Sequence, residues 1–232
     1  MKPEQLEAIK RLDERLANMS QDELDEMNAY IDEQCKDIDS PSVNDLFKYK
    51  LLQNAVDLAI EAHCLPQFRN EPDPELKYKI IEMVLDSGNS YLYEHLGKVV
   101  QVAEKFIYYI DEENRMNVLA SCWLHDSIED GRLTYNDIKK RTNEEVAEIV
   151  YRLTNFKGKT RKERANDEYY QMIKEHPLAL FVKLCDRISN VEDSLNSDIM
   201  LKKYKEEYST FKDKLLTNNY PEMWELLDKY LQ

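Results

Sequence analysis

The pattern of apolar positions along the chain predicts helices in almost every segment. Between residues 96 and 110, apolar side chains recur at spacings of three and four, which is the period of a helix with one broad buried face. Two shorter runs, 118–124 and 178–184, are almost continuously apolar and lie between helical patterns, so they predict buried helices. Another helix is predicted over 144–153, and the sequence 134–137 has the form of a helix start.

The composition supports an all-α fold. The chain has only 4 glycines and 7 prolines among 232 residues, too few for the turns of a strand-rich protein. Leu, Ala, Glu, Lys, Met and Gln dominate, and these residues favour helices. Because 42% of the residues are hydrophobic, the chain can form the core of one good-sized domain.

Changes in the apolar pattern divide the chain into three predicted segments. Residues 1–70 are acidic and amphipathic and predict a helical extension, with a capping-box sequence at 20–23 and a proline-containing loop over 64–74. Residues 71–195 have the densest apolar pattern and predict the core. Residues 196–232 return to charged helices, which we expect to pack on that core. Neither extension shows any chemistry, and we interpret the N-terminal one as a surface for packing or for assembly into a homo-oligomer.

The net charge of -14 limits the partners that the chain can have. Nucleic acid backbones and anionic membranes repel such a chain, so we expect neither as a partner. The four cysteines form no CxxC pair and are typical of reduced thiols. Since no segment has the pattern of a signal peptide or the length of a membrane span, we expect a cytoplasmic protein.

Charged side chains interrupt the two buried runs at their ends. His125 and Asp126 directly follow the first run, and Asp186 follows the second. Removing an unpaired carboxylate from water costs several kcal/mol, so such residues need a partner. A bound divalent cation is one such partner, and neighbouring backbone groups at the end of a helix are the alternative.

The spacing within residues 125–130 favours the cation. If these residues continue the helix, His125 and Glu129 share a face, as do Asp126 and Asp130. Three carboxylates this close would repel one another without a cation. Imidazole and carboxylate ligands suit manganese, iron or a similar divalent ion, and Gly131 lets the chain turn away.

A basic stretch between the two buried runs suits an anionic ligand. Residues 156–164 carry five positive charges in this acidic chain. Lysine and arginine at that density favour a phosphate or pyrophosphate group, with Lys159, Arg161 and Arg164 as the best candidates. The alternative is a solvated loop whose cations pair with Glu163 and Glu168.

The order of these residues resembles the HD superfamily of metal-dependent phosphohydrolases. That family holds its metal with a histidine, then an adjacent His-Asp pair, then a later aspartate. The resemblance implies an HD-domain helical bundle in which His95, His125, Asp126 and Asp186 are the metal ligands, with Mn²⁺ as the expected ion.

Within that superfamily, the sequence resembles the hydrolase domain of stringent-response alarmone enzymes, which remove the 3′-pyrophosphate of guanosine tetraphosphate (ppGpp). Three stretches carry this similarity: His-Asp-Ser-Ile-Glu-Asp at 125–130, Ser-Gly-Asn-Ser-Tyr at 87–91, and Lys-Leu-Cys-Asp-Arg-Ile-Ser-Asn at 183–190. The resemblance implies that Glu129 and Asp130 position and activate the attacking water and that Asn190 contacts the nucleotide. Tyr91 is a further candidate for a substrate contact.

Three positions depart from the alarmone pattern: Ser90 and Leu96 stand where the family usually has proline, and Asp86 is the departure that bears on the substrate. The family usually has a basic residue just before the Ser-Gly pair, where it helps hold guanine, and this chain has Asp86. We therefore predict a metal-dependent hydrolase of a phosphorylated nucleotide, with (p)ppGpp as the leading substrate. An HD nucleotidase or phosphodiesterase acting on another nucleotide stays open, as does a nucleotide-binding HD module without turnover. A metal-free structural protein is the remaining alternative.

Overall fold

Helices account for all the regular structure that the computed structural model describes, which comprises Ser20 and residues 43–63, 91–155 and 159–231. These residues include no strand, so the predicted all-α class is confirmed. None of the described helices combines the length and apolar character needed to cross a bilayer. Of the predicted capping box at 20–23, only Ser20 is described. Two other predicted features lie outside the described residues, namely the loop over 64–74 and the stretch 87–90.

Backbone contacts divide the chain into two compact units, Met1–Tyr49 and Lys50–Gln232. In the first unit the structure describes only Ser20 and 43–49. The predicted boundaries at residues 70 and 195 remain predictions. The helices are α1 (Val43–His63), a π-helical segment (Tyr91–Leu96), α2 (Gly97–Lys105), a 3-10 turn (Ile107–Tyr109), α3 (Glu112–Leu124), α4 (Tyr135–Arg141), α5 (Glu144–Leu153), α6 (Arg161–Arg164), α7 (Asp167–Lys174), α8 (Pro177–Ser194), α9 (Asp198–Leu215) and α10 (Pro221–Leu231).

Side-chain caps explain where several of these helices begin. Thr134 and Asp137 form a capping box at the start of α4, as the sequence predicts. Asn143 and Asn166 accept hydrogen bonds from the first turns of α5 and α7. His176 caps α8 in the same way, accepting a hydrogen bond at Nδ1 from the amide of Ala179, and Pro177 occupies the first turn.

Helix α8 is the centre of the larger hydrophobic cluster. It packs against α2, α3, α5, α7, α9 and α10. Phe181 and Leu184 are completely buried, and burying each such side chain stabilises the fold by about 1.5–3 kcal/mol. Helices α9 and α10 contribute Phe211 and Trp224 to the same cluster, so they cover α8 from one side.

A smaller cluster supports the chain on the other side of α3. The buried residues of α1 beyond Lys50, including Ile60, pack there with Leu92, Leu124 and Ile138. The start of the π-helical segment and the end of α3 are therefore fixed against a common apolar layer. The π-helical segment carries His95, and α3 is followed directly by His125 and Asp126.

Two predicted helices differ from their observed forms. The single apolar face over 96–110 is divided, because α2 ends at Lys105 and a 3-10 turn follows. The second buried run does not end at Asp186, since α8 continues for two more turns to Ser194. Asp186 is therefore a buried acidic residue in the middle of a core helix.

Candidate active site

The candidate residues meet in a cleft of about 1120 Å³. The cleft opens where the end of α3 faces α8, with α7 and α9 forming other walls. Eight of the predicted site residues line it: Tyr91, His95, Asp126, Glu129, Asp130, Arg164, Asp186 and Asn190. His125 lies directly behind this surface and is only 3% exposed.

The stretch 125–130 is a turn and does not continue the helix, so the helical spacing considered for these residues does not describe them. Helix α3 ends at Leu124, and the carbonyl of that residue accepts hydrogen bonds from the amide and the hydroxyl of Ser127, at 2.9 and 2.6 Å. The amide of Asp130 donates a 2.8 Å hydrogen bond to the carbonyl of Asp126, so one hydrogen bond with α-helical spacing remains. The turn directs Asp126, Glu129 and Asp130 into the cleft while His125 stays in the core.

Gly131 is required for close packing rather than for an unusual backbone angle. A Cβ atom at Gly131 would lie 2.7 Å from Cβ of Ala62 and 2.7 Å from the carbonyl oxygen of Ser127. The residue in the left-handed region is Arg132, with φ of 57°. The predicted change of direction therefore takes place one residue later, and Gly131 lets α1 approach the turn.

Three side chains converge with the geometry of a metal site. Nε2 of His95 lies 3.2 Å from Oδ2 of Asp126, and Nε2 of His125 lies 3.1 Å from the same oxygen. The ligand atoms of the three residues are all within 4.8 Å of one another. Such a set of two imidazoles and a carboxylate suits a divalent transition-metal ion.

The hydrogen bonding of His125 supports this assignment. Its Nδ1 lies 2.9 Å from the carbonyl of Cys122, which can only accept, so Nδ1 is protonated. Nε2 is buried and makes no hydrogen bond of good geometry within the described part of the chain, although the carboxylate of Asp126 is close. A bare lone pair on Nε2 would face a carboxylate, and either a proton on Nε2 or a shared cation resolves that conflict.

Asp186 lies beside this cluster but has other partners. Its Oδ1 is 3.7 Å from Nε2 of His125, and its Oδ2 accepts a 2.9 Å hydrogen bond from Nζ of Lys183. Asn190 donates to the carbonyl and to Oδ1 of Asp186. The structure thus places the fourth predicted ligand near the other three, with its carboxylate held in a fixed orientation. Asn190 belongs to the same network and does not cap a helix end.

The charges at the site shift several pKa values. Burial opposes ionisation of Asp126, but His125, His95 and Lys183 hold the pKa of that carboxyl well below its usual range. Burial disfavours the charged form of His125 too, yet Asp126 and Asp186 raise its pKa to about 10. In the absence of a cation, a proton on His125 thus takes the place of the positive charge that these carboxylates need.

The two acidic residues beyond the ligands behave differently. Burial raises the pKa of Glu129, and this effect exceeds the lowering by Arg164 and by a hydrogen bond from the backbone of Asn155. Burial and Asp126 likewise raise the pKa of Asp130. A carboxylate with a raised pKa is a better proton acceptor, which is the property required of a general base.

Tyr91 contacts a metal-ligand candidate directly. Its hydroxyl donates to Oδ2 of Asp126 at 3.3 Å, and its ring lies 5.0 Å from that of His63 and 5.3 Å from that of His95. Burial and the nearby carboxylates raise its pKa, so the hydroxyl remains a donor. Tyr91 also lines the cleft, and its predicted contact with substrate stays a prediction.

The basic stretch reaches the cleft through Arg164. Nη1 of Arg164 lies 2.5 Å from Oε1 of Glu129. The carboxylate of Glu163 accepts hydrogen bonds from the backbone amides of Lys159 and Thr160, at 2.7 and 3.3 Å. Lys159 is exposed and is not among the described residues that line the cleft, and the side chain of Arg161 lies outside the described part.

Several residues of the cleft were not among the sequence candidates. The sequence could have identified Lys183, because it precedes Asp186 by three positions on a helix and so shares the same helix face. Tyr169 comes from α7, and Nζ of Lys183 lies 6.0 Å from the centre of its ring. The wall formed by α9, with Lys203, Tyr204 and Thr210, results from tertiary packing that has no local signature in the sequence.

Arg187 attaches this α9 wall to α8. Its guanidinium lies 5.2 Å from the ring centre of Tyr204 and 4.4 Å from that of Phe211, and it pairs with Glu207 at 3.1 Å. The guanidinium is therefore packed between two aromatic rings and an acid, all from α9. The wall is held by a specific polar interaction as well as by apolar contact.

Comparison with known proteins confirms the resemblance to HD-type ppGpp hydrolases. The chain is 32% identical, over 147 residues, to a guanosine-3′,5′-bis(diphosphate) 3′-pyrophosphohydrolase from Aquifex aeolicus (strain VF5). The match covers 62% of this chain and 19% of that protein, so the chain spans about a fifth of the relative's length. No protein-family model matches the chain.

Proposed function

We propose that this chain is a divalent-metal-dependent phosphohydrolase that removes the 3′-pyrophosphate of a (p)ppGpp-type nucleotide. The observation that carries the proposal is the cluster of His95, His125 and Asp126 at the wall of a cleft that the acid pair Glu129 and Asp130 also lines. The similarity to a ppGpp 3′-pyrophosphohydrolase supports the choice of substrate. The cleft of about 1120 Å³ is large enough for a phosphorylated nucleotide.

The metal-holding set in this proposal is His95, His125, Asp126 and Asp186, with Mn²⁺ as the ion. The buried Nε2 of His125, 3.1 Å from the carboxylate of Asp126, favours a cation between them. When bound, a divalent ion supplies Lewis-acid chemistry, because it lowers the pKa of water and neutralises charge on phosphoryl oxygens. Lys183 and Asn190 restrain Asp186, so this carboxylate is oriented before any ligand arrives.

Glu129 is the proposed general base. It accepts the proton of the attacking water, and Asp130, one residue along the same turn, helps to orient that water. Burial raises the pKa of Glu129, which strengthens it as a base. Both carboxylates belong to the turn that follows α3, so their positions relative to Asp126 are fixed by a short, hydrogen-bonded stretch of backbone.

The positive residues are proposed to bind the phosphate groups. Arg164 lines the cleft beside Glu129, and its fork of N–H donors matches phosphoryl oxygens. Lys159 and Arg161 belong to the same basic stretch and are proposed to contribute to the local positive field. Asn190 and Tyr91 are proposed to contact the nucleotide, since both line the cleft at the edge of the metal-holding set.

A substrate screen tests this proposal. The purified chain with Mn²⁺ is assayed against ppGpp, its adenine counterpart, mononucleotides and cyclic nucleotides. We expect Mn²⁺-dependent release of pyrophosphate from ppGpp, and loss of that release in His125→Ala. Phosphate release from mononucleotides alone would contradict the proposal that the substrate is an alarmone. Nucleotide binding without turnover of any compound would contradict the proposal that the chain is an enzyme.

A further inference from the structure

The proposed base and a proposed phosphate ligand are bonded to each other. Nη1 of Arg164 lies 2.5 Å from Oε1 of Glu129, and their side chains are 38% and 28% exposed. The nearest acid along the chain, Glu163, has other partners, because its Oε2 accepts hydrogen bonds from the backbone amides of Lys159 and Thr160. Arg164 is therefore directed towards Glu129 across 35 residues of sequence.

This contact weakens Glu129 as a base. A hydrogen bond from a guanidinium occupies a lone pair of the carboxylate and stabilises its charged form. Although burial raises the pKa of Glu129, Arg164 opposes that rise more than any other group does. A Glu129 released from Arg164 would be more basic and would have both oxygens available for water.

A phosphate group is suited to break the contact. A terminal pyrophosphate oxygen carries more charge than a carboxylate oxygen shared with other partners, and two such oxygens match the guanidinium fork. Both partners face the cleft, so an anion entering it meets Arg164 beside Glu129. The free energy lost when the ion pair opens is then offset by the new pair.

We infer that Arg164 is a positioning residue that holds Glu129 while the cleft is empty and releases it when a pyrophosphate group binds. The inference rests on the proposed function, in which Glu129 is the base and the substrate carries a pyrophosphate. It adds that the base becomes available only when the reacting anion is in place.

A double-mutant cycle on ligand binding tests the exchange without requiring turnover. Inorganic pyrophosphate is titrated by calorimetry into the full Mn²⁺-loaded chain as wild type, Glu129→Gln, Arg164→Gln and the double variant. We expect Glu129→Gln to tighten binding by about tenfold, because pyrophosphate no longer has to break the ion pair. Arg164→Gln should weaken binding by about tenfold, and adding Glu129→Gln to it should change binding by less than about twofold.

The cycle separates exchange from simple repulsion. If Glu129 merely repels the anion, its neutralisation tightens binding equally with and without Arg164, and equal tightening overturns the inference. Absence of pyrophosphate binding by the wild type, or binding unaffected by Arg164→Gln, overturns it too. Arg152→Gln is the matched control, since Arg152 forms an ion pair with Glu148 at 2.7 Å outside the cleft, and it should leave binding unchanged.

The binding cycle tests the exchange, whereas the hydrolysis assay tests the proposed function. A coupled cycle in a chain that hydrolyses no nucleotide would support the exchange and contradict the proposed function. An additive cycle in a chain that hydrolyses ppGpp would contradict the exchange alone. Measured metal content of each variant, expected to equal that of the wild type, shows that the substitutions leave the folded site intact.

Discussion

The hydroxyl of Tyr91 donates a hydrogen bond to Oδ2 of Asp126 across 3.3 Å. That oxygen also lies 3.2 Å from Nε2 of His95 and 3.1 Å from Nε2 of His125. One atom therefore connects the π-helical segment with the turn that follows α3. The ring of Tyr91 lies against those of His63 and His95, which holds its hydroxyl beside Asp126.

Tyr91→Phe should weaken metal binding without unfolding the protein. The phenylalanine keeps the ring contacts and loses the hydrogen bond to Asp126, so we expect about a tenfold rise in the Kd for Mn²⁺. Calorimetric titration of Mn²⁺ measures it. Tyr108→Phe is the control, because it removes a hydroxyl that bonds to Glu222 away from the cleft. Equal affinities in the two variants would show that Tyr91 does not orient Asp126.

The acidic side of the pH profile should depend on Arg164. A general base works only when deprotonated, so activity falls as the pH drops through its pKa. Because Arg164 lowers the pKa of Glu129 and burial raises it, Arg164→Gln should move the acidic limb of kcat/KM to higher pH. Profiles of the wild type and the variant with ppGpp measure the shift. A limb at the same pH in both proteins would argue against Glu129 as the titrating base.

Gly131→Ala should destabilise the fold. The new Cβ would meet Cβ of Ala62 and the carbonyl of Ser127, both at 2.7 Å, so α1 or the turn must move. We expect a loss of about 1–3 kcal/mol in the free energy of unfolding. Urea denaturation measures it. A Cβ atom at Gly97 would lie 3.3 Å from its nearest neighbour, so Gly97→Ala should cost less stability. An equal loss of stability at both positions would show that close packing at Gly131 is not the cause.

Arg187→Met should loosen α9. The substitution keeps the aliphatic stem but removes the charge that pairs with Glu207 and lies over Tyr204 and Phe211. We expect a loss of about 2 kcal/mol in stability. Lys202→Met on α9 is the control, because the side chain of Lys202 is 78% exposed and the change in stability should stay within about 0.5 kcal/mol. Similar denaturation midpoints for both variants would mean that Arg187 does not stabilise α9.

The sequence predicted the helical class and the ends of several helices because those features are local. Periodicity identified α5 and the buried part of α3, and the capping residues of α4 and the His176-Pro177 boundary were visible as short motifs. The spacing of His125, Asp126 and Asp186 indicated chemistry because polar residues interrupt apolar runs. These signals need no knowledge of how distant segments pack.

The remaining features depend on tertiary contacts. Helical spacing was one way to bring residues 125–130 together, but hydrogen bonds from Ser127 to Leu124 close a turn that periodicity cannot reveal. The pairing of Arg164 with Glu129 joins segments 35 residues apart. The α9 wall carries its polar residues among ordinary exposed helical positions, so only packing on α8 shows that they border the cleft.

Glu129→Gln shows whether a metal-holding set and the base Glu129 act together on a pyrophosphate ester. Metal content and hydrolysis of ppGpp are measured on the same preparation, with Glu148→Gln as a control outside the cleft. We predict wild-type Mn²⁺ stoichiometry with at least about a 10²-fold loss of kcat in Glu129→Gln, and normal values for both in the control. A Glu129→Gln protein that binds Mn²⁺ and hydrolyses ppGpp at the wild-type rate would show that Glu129 is not the general base.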